Sequence, residues 1–495
     1  MNLIQNAIDW DKLLDNIEEN AAANAAMKLL DPAIAIFEKH YGLRFSARQT
    51  LFGDKTLPYK SLILNYVDAL KAKAREERNA GDADFDSDSP EHFAADGAGR
   101  SVEPESTLDR LKRTVAEALE PAPKILPGDV LTPRERILRH MNFEKPDRVA
   151  VAPLWGFHTA RAGGINTREF MTDGHLAALA SRRAWDLYGG FDMTPANFSA
   201  GYMFPLVPES HSRFCSNWFL PEGDELPKLD EQPLDLDYDM LNSEGFSPIL
   251  RTERGRLFGE LRRMLVQTGI FYSEMAVNFP RPDLFHPYAM GVINHPADLL
   301  SMWLGFERFM TDCALDPLKV REACERLGPG LVEFGEFTAR LGNGNQVLYG
   351  VSRVSASYIS RKMFDNLFAG VFIDQVRQAF SGGFNLTYHL DNNYTPFLDF
   401  FLELPRHSGY LHLDQTDIFE AKKVIGDHLC LMGNLHPGML AMGKPAELTA
   451  HCERLIKEVG AGGGFILSSA CEVPINTPVE NLKAVKEAVD RWGWY

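Results

Sequence analysis

The sequence predicts an α/β fold: a parallel (β/α)8 barrel preceded by an N-terminal helical module. Three observations carry that expectation. Three strand-length apolar runs, Phe384–Leu390, Gly409–Leu413 and Leu429–Met432, follow one another with helical sequence between them, the alternation of a parallel sheet. Each run ends in polar residues: His389, Asp391 and Asn392, then His412, Asp414 and Gln415, then Asn434. A parallel barrel keeps its chemistry at the C-terminal ends of its strands. Finally, the span from residue 131 to residue 495 exceeds the roughly 250 residues of a typical barrel and so accommodates insertions.

In chain order, residues 1–80 read as helical. Leu3, Ile4, Ala7 and Ile8 recur at helical spacing, and Leu13, Leu14 and Ile17 continue the stripe. Asp31-Pro32 opens a second helix as cap and first-turn proline, and Leu57-Pro58 opens a third with the stripe Leu62, Tyr66, Val67 and Leu70. No residue of this module proposes chemistry. It reads as a packing or oligomerisation appendage, with a docking surface for a partner protein as the alternative. Residues 81–130 form an acidic linker with a short helix at Leu108–Leu119. The stretch 81–107 has too few large apolar residues to fold alone.

The barrel domain then covers 131–495. Thr132-Pro133 caps a helix over Arg134–Asn142, and the strand Arg148–Ala152 follows. The polar and aromatic segment Trp155–Arg161 is placed in the first strand-end loop, and Gly190–Met193 marks the second strand end. Residues 205–262, rich in Pro, acidic and aromatic residues, are read as an irregular insertion over the barrel mouth, of the kind that serves as lid or substrate wall. Gln346–Gly350 is a strand, and a helix over Phe364–Phe380 feeds the strand carrying His389. Gly462-Gly463-Gly464 precedes a strand and is a turn, not a phosphate cradle.

A net charge of −17 argues against a nucleic-acid or membrane surface, since both need a basic patch. The six cysteines, at 215, 313, 324, 430, 452 and 471, include no CxxC pair, which is reduced, cytoplasmic usage. The N-terminus is polar and acidic rather than a signal peptide, and no apolar run approaches the ~20 residues of a membrane helix. No dinucleotide fingerprint or Walker motif is present.

His389-Leu-Asp391 has a specific geometry, because residues two apart on a strand share a face. An imidazole and a carboxylate on one face are two ligands for a hard or borderline metal. Cys471-Glu472 opens the loop after a strand ending at Ala470. The candidate metal site is therefore His389, Asp391 and Cys471, supported by His412, Asp414 and Glu472. Asp414 and Tyr349 are the candidate catalytic residues. Trp155, Phe157, His158, Tyr394, His412 and Asn434 are the candidate substrate contacts. For the aromatic residues, core packing is the competing reading. Tyr388 is expected on the opposite side of its strand from His389.

In the C-terminal region the segments EAKKVIGDHLCLMGN, GKPAEL and GGGFILSSACEVPINTPVENLKAVKEAV resemble the uroporphyrinogen decarboxylase superfamily. So does LTPRERILRHMNFEKPDRVAVAP at 131–153. The most similar branch is the zinc-dependent, corrinoid-linked methyltransferases, which carry a His-x-Cys on one strand and a Cys after the last. His389 matches the His and Cys471 the late Cys, while Asp391 stands where that branch has its first Cys. The resemblance implies a TIM barrel holding zinc. It implies a methyltransferase that moves a methyl group between a small donor and the corrinoid of a separate protein. Asp391 in place of a thiolate makes a metal there a stronger Lewis acid, which points to an O-methyl donor, and the aromatic residues are compatible with a methoxylated aromatic one. The chain shows no Asp-x-His-x-x-Gly segment of the kind corrinoid-binding domains carry, so the corrinoid is assigned to a partner. Three alternatives stand: transfer from the corrinoid protein to a thiol or folate acceptor, porphyrinogen decarboxylation, and a catalytically silent scaffold. The family's decarboxylases carry Arg-x-Ala-Gly-Arg near the first strand, whereas Ala160-Arg161-Ala162-Gly163-Gly164 lacks the second Arg.

Overall fold

Thr132 caps the first helix, α1 (Pro133–Met141), by accepting a hydrogen bond from the Glu135 N–H while the Glu135 carboxylate accepts one from Thr132 N–H. With Pro133 in the first turn, this reciprocal cap sets where the described chain begins its regular structure. The structure, a computed structural model, describes residues 124–193, 233–248, 285–341 and 344–495, with short pieces between 218 and 229 and between 271 and 279. The helical module at 1–80, nearly all of the linker at 81–130 and most of the 205–262 insertion lie outside the described residues.

Strand β1 is Ala150–Val151, and β2 (Trp218–Phe219) and β3 (Lys228–Leu229) form a separate antiparallel pair. The main sheet continues with β4 (Gly291–Asn294), β5 (Gln346–Val351), β6 (Asn385–Leu390), β7 (Gly409–Leu413), β8 (Cys430–Leu435) and β9 (Phe465–Ser469). Its order is β1-β9-β8-β7-β6-β5-β4, with parallel pairing between each neighbouring pair. The ring closes through a minimal eighth stave at 192–193. Asp192 N–H donates to Val151 C=O, His286 N–H donates to Asp192 C=O, and Met193 bridges His286 in parallel. The result is the α/β barrel that the alternation of strands and helices predicts. Strands β5, β7 and β9 are buried along their whole length, which is why they read as nearly unbroken apolar runs.

Helices connect the strands on the outside. They include α2 (Gly174–Tyr188), α3 (Pro317–Leu341), α4 (Arg361–Leu367), α5 (Ala369–Ser381), α6 (Ile418–Ile425), α7 (Pro445–Glu458) and α8 (Val479–Trp492). The sequence pattern predicts one helix over Phe364–Phe380, but the structure splits it into α4 and α5 at Phe368, whose φ of −124° leaves the helical range. Within 205–262, expected to be irregular, Tyr238–Glu244 is a helix capped by Asp237. Among the described residues no helix is long and apolar enough to cross a membrane.

Barrel closure rests on a buried ionic network. Arg136 and Arg148 are fully buried, as is Asp192. Asp192 binds Arg136 Nη1 at 2.6 Å through Oδ1, and Arg148 Nη1 at 2.8 Å and Val151 N–H at 2.7 Å through Oδ2. Arg148 Nε also meets Asp129 at 2.6 Å, and Arg136 Nε meets Asp147 at 2.7 Å. One carboxylate therefore ties α1, β1 and the 192–193 stave together exactly where the pairing is shortest.

Candidate metal centre

Along β6 the side chains alternate. Thr387 and His389 face the barrel interior, and Tyr388 faces the helices, its hydroxyl paired with Ser408 and its ring stacked on Phe372 of α5. Asp391 follows directly after the strand ends at Leu390. Its Oδ2 accepts a hydrogen bond from Ser352 Oγ at 2.9 Å, which turns Oδ1 to within 3.1 Å of His389 Nε2. Cys471, two residues past β9, places Sγ 3.8 Å from His389 Nε2 and 3.7 Å from Asp391 Oδ1. The three ligand atoms thus form a triangle at the C-terminal end of the barrel. Around a tetrahedral zinc ion at ordinary bond lengths, N and O stand about 3.3 Å apart and S about 3.6 Å from either. The triangle fits such an ion with shifts of a few tenths of an ångström, and the mixture of imidazole, carboxylate and thiolate is a zinc donor set.

The imidazole is set by a relay behind it. His412 Nε2 lies 2.7 Å from the Ser469 carbonyl, which can only accept, so Nε2 carries the proton and Nδ1 is the acceptor. Tyr288 Oη lies 2.6 Å from that Nδ1 and 2.7 Å from His389 Nδ1. The phenol then donates to His412 and accepts from His389 Nδ1–H. This assignment follows from the hydrogen-bond pattern and turns His389 Nε2 toward Asp391 and Cys471, so that a metal displacing the Nε2 proton would meet its lone pair there. Metal-binding histidines are characteristically held this way, by a hydrogen bond from the other ring nitrogen.

The electrostatics agree. Burial pushes His412 down to about 3, so it stays neutral and accepts from Tyr288. Burial disfavours charge on His389, but the Tyr288 oxygen, then the Asp391 carboxylate and hydrogen bonds to Asp391 and Cys471, carry it well above the usual imidazole range. Tyr288 itself is held above its ordinary value by burial and remains a neutral phenol. Burial works against an ionised Asp391, and the His389 charge and hydrogen bonds from His389 and Ser352 bring it down to about 2. Without a metal, a proton on Nε2 bridges His389 and Asp391; a metal cation would take that proton's place. Burial pushes the Cys471 thiol up, Glu472 up to about 7, and Asp414 up. Asp298, pushed up to about 6 by burial, accepts from Ser352 N–H at 2.8 Å and Arg353 N–H at 2.9 Å, and so anchors the loop that presents Ser352.

The structure brings together His389, Asp391 and Cys471, with His412 behind them. Asp414 stands at the same end of the barrel, where its Oδ2 accepts from Asn392 N–H at 3.0 Å. Asn434, near the end of β8, donates to Thr416 C=O at 3.2 Å. The other expected site residues are not part of the triangle. Tyr349 does not reach the cluster: it faces the helix layer, and its hydroxyl donates to Gln375 of α5 at 2.8 Å, because Gly350 takes the inward position on β5. Tyr394 is fully buried and donates to Val351 C=O. Trp155 packs against Tyr188 and Phe191 on the helix side, and Phe157 packs against Phe170. His158 bridges Tyr188 Oη and the Ile475 carbonyl, anchoring the loop that carries Cys471. The contacts that the aromatic residues make here are packing contacts, the reading that competes with a role as substrate contacts.

Tyr288, Ser352 and Asp298 are additions of the structure. Ser352 is the polar residue just after a strand already apparent in the sequence, so the strand-end rule reaches it. Tyr288 sits in a short, weakly patterned approach to β4 and carries no comparable signal.

Residues 288–492 match the uroporphyrinogen decarboxylase (URO-D) family. Uroporphyrinogen decarboxylases of three Coxiella burnetii strains, among them Dugway 5J108-111 and RSA 493 / Nine Mile phase I, are 32% identical over 77 residues. That stretch is 16% of this chain and 21% of those proteins, so the chain matches about a fifth of the length of these curated relatives. Among solved structures, a methyltransferase from Methanosarcina mazei superimposes with a TM-score of 0.55 at 16% identity, over 73% of this chain and 99% of that one. At that identity the likeness is one of fold.

Proposed function

From a chain whose residues 288–492 form a URO-D family domain, we propose a zinc-dependent methyltransferase that passes the methyl group of a small O-methyl donor to the corrinoid of a separate protein. The observation that carries this reading is the His389, Asp391 and Cys471 triangle at the barrel mouth, backed by the Tyr288–His412 relay. The fold shared with the M. mazei methyltransferase supports it. Zinc held by three protein ligands with one position open supplies Lewis-acid polarisation of an ether oxygen. The protein's own part is positional. Tyr288 holds the proton on His389 Nδ1 and so leaves Nε2 as the atom that would face a metal, Ser352 turns Asp391 Oδ1 inward, and the buried relay excludes water from that side of the cluster. In such a transfer the bond between methyl carbon and oxygen would break with its electron pair on the oxygen, which would take a proton from solvent, while the electron pair of the partner's reduced corrinoid would form the new bond to the methyl carbon.

Asp391 decides which half of the chemistry fits. Two thiolates donate charge to a metal and suit activation of a thiol acceptor, whereas a carboxylate in place of one leaves the metal a stronger Lewis acid. A polycarboxylate substrate fits less well, because Asp391, Asp414 and Glu472 are close enough to one another for Asp391 to raise the pKa of both neighbours. Because the aromatic residues are committed to packing, the reading stays with a small O-methyl donor and gives no preference to an aromatic one.

The test is an anaerobic assay with a reduced corrinoid protein and matched O-methyl, N-methyl and S-methyl donors, followed by the spectral change to the methylated corrinoid. O-methyl donors are expected to react, and Asp391→Cys is expected to slow them about tenfold or more while keeping zinc. Reaction only with a thiol or folate acceptor would reverse the direction assigned. Faster O-demethylation by Asp391→Cys would remove the Lewis-acid argument.

A further inference from the structure

One transverse row crosses the barrel at the level of the metal cluster. Asn294 of β4 pairs with Gly350 of β5, Gly350 with His389 of β6, and His389 with His412 of β7. Residues in register on adjacent parallel strands point the same way and stand about 4.8 Å apart. Three of the four positions carry side chains, and the gap falls next to His389. Among the described residues, a β-carbon built on Gly350 would meet two heavy atoms within 4 Å, Asn294 Oδ1 at 3.3 Å and Leu348 Cδ2 at 3.4 Å. Gly350 is itself buried, so this is an internal notch rather than open surface. Leu348, part of the apolar core inside the barrel, forms its floor.

Asn294 has a fixed backbone and a free head group. Its carbonyl accepts from Gln375 Nε2, and the next residue, His295, donates from N–H to the Gly350 carbonyl at 3.1 Å. Its side-chain amide is half-buried and makes no hydrogen bond among the described residues. Neighbouring Ile293 points outward against Gly335 of α3, which leaves Asn294 on the inner face. Above the notch Ser352, on the same face of the chain as Gly350, holds Asp391.

We propose that Asn294 and the gap at Gly350 form the subsite that selects the methyl donor, and that it takes a neutral hydroxyl group carried close to the methoxyl group. This rests on the methyl-transfer reading above. An oxygen placed where the β-carbon would stand lies within hydrogen-bond distance of Asn294 Oδ1 and in van der Waals contact with Leu348. An amide satisfies a hydroxyl in either of its orientations, since it offers both acceptor and donors. A methyl group of the same size would occupy the notch but leave the amide unpaired and partly desolvated, which is how a polar subsite rejects an apolar isostere.

Two matched pairs test it on the zinc-loaded full chain with reduced corrinoid protein: 2-methoxyethanol against 1-methoxypropane, and 2-methoxyphenol against 2-methoxytoluene. In each pair a hydroxyl is exchanged for a methyl. The wild type is expected to favour the hydroxyl member by about tenfold or more in kcat/KM in at least one pair. Asn294→Leu is expected to reduce that preference below about twofold with zinc content unchanged. Gly350→Ala, which needs only small shifts of Leu348 and Asn294, is expected to raise KM for the hydroxyl member with zinc content and melting temperature unchanged. Equal use of both members by the wild type, or a preference that survives Asn294→Leu, overturns the subsite and leaves the methyl-transfer reading standing. Transfer from none of the four overturns the subsite together with that reading.

Discussion

Cys471→Ala is expected to lower zinc affinity by more than about 100-fold, and His389→Ala by at least as much. Loss of an outer partner of a metal ligand costs roughly 10–100-fold in affinity, and loss of a ligand exceeds that. Cys471 is the half-buried member of the described cysteines, and the other four, at 313, 324, 430 and 452, are buried away from the triangle. No second thiol is therefore placed to replace it among the described residues. Tyr288→Phe supplies the graded control. It leaves His389 Nδ1–H and His412 Nδ1 without their shared partner but keeps all three ligands, so a loss within the 10–100-fold range is expected. Affinity should fall as pH is lowered, because the metal must displace a proton from His389 Nε2 and one from Cys471 Sγ. Competition against a chromophoric chelator measures all of these. Unchanged affinity in Cys471→Ala would remove the thiolate from the site.

The largest expected effect on stability lies outside the cluster, at Asp192. Asp192→Ala removes the fully buried carboxylate from two buried guanidinium groups, which keep Asp129 between them, and leaves Val151 N–H without that acceptor. Removing one partner from a buried ionic network costs about 3–5 kcal/mol. The sign with pH is definite. Burial pushes the Asp192 carboxyl up, but Arg148 and Arg136 outweigh it and hold the folded-state pKa below the ordinary value. Asp147 is held down similarly: burial opposes the charge, and the Arg136 hydrogen bond prevails. A carboxyl with a depressed folded-state pKa contributes its stability fully above its unfolded value, near 4, and loses it as pH falls through the folded one. Urea unfolding of wild type should therefore weaken steadily below about pH 4, and Asp192→Ala should weaken less over the same range. An Asp192→Ala protein as stable as wild type at pH 7 would show that the network does not close the barrel.

The sequence carried the barrel because its C-terminal half is patterned by burial on both faces. β5, β6 and β7 begin and end within one residue of the apolar runs that announce them, β9 ends one residue before the expected Ala470, and β8 runs three residues past the Leu429–Met432 run. The candidate metal site was readable for the same reason, since strand ends converge in a parallel barrel wherever they lie in the chain. What the pattern missed is cross-strand and parity-dependent. The expectation for Tyr349 overlooked that Gly350 shares the inward row with His389, which turns Tyr349 outward. Tyr288 contributes through a contact with residues 101 and 124 positions away, and local sequence holds no trace of such a contact. The 192–193 stave falls within the expected second strand end at Gly190–Met193, but the part played by buried Asp192 in closing the ring leaves no local pattern. Asn294 ends a four-residue strand whose alternation is too brief to separate from a loop.

X-ray absorption at the zinc edge of the zinc-loaded full chain tests the proposed centre most directly. One sulfur at about 2.3 Å and the remaining ligands as nitrogen or oxygen at about 2.0–2.2 Å are expected, with the sulfur lost in Cys471→Ala. A shell without sulfur, or one with two sulfurs, would contradict a site made of His389, Asp391 and Cys471.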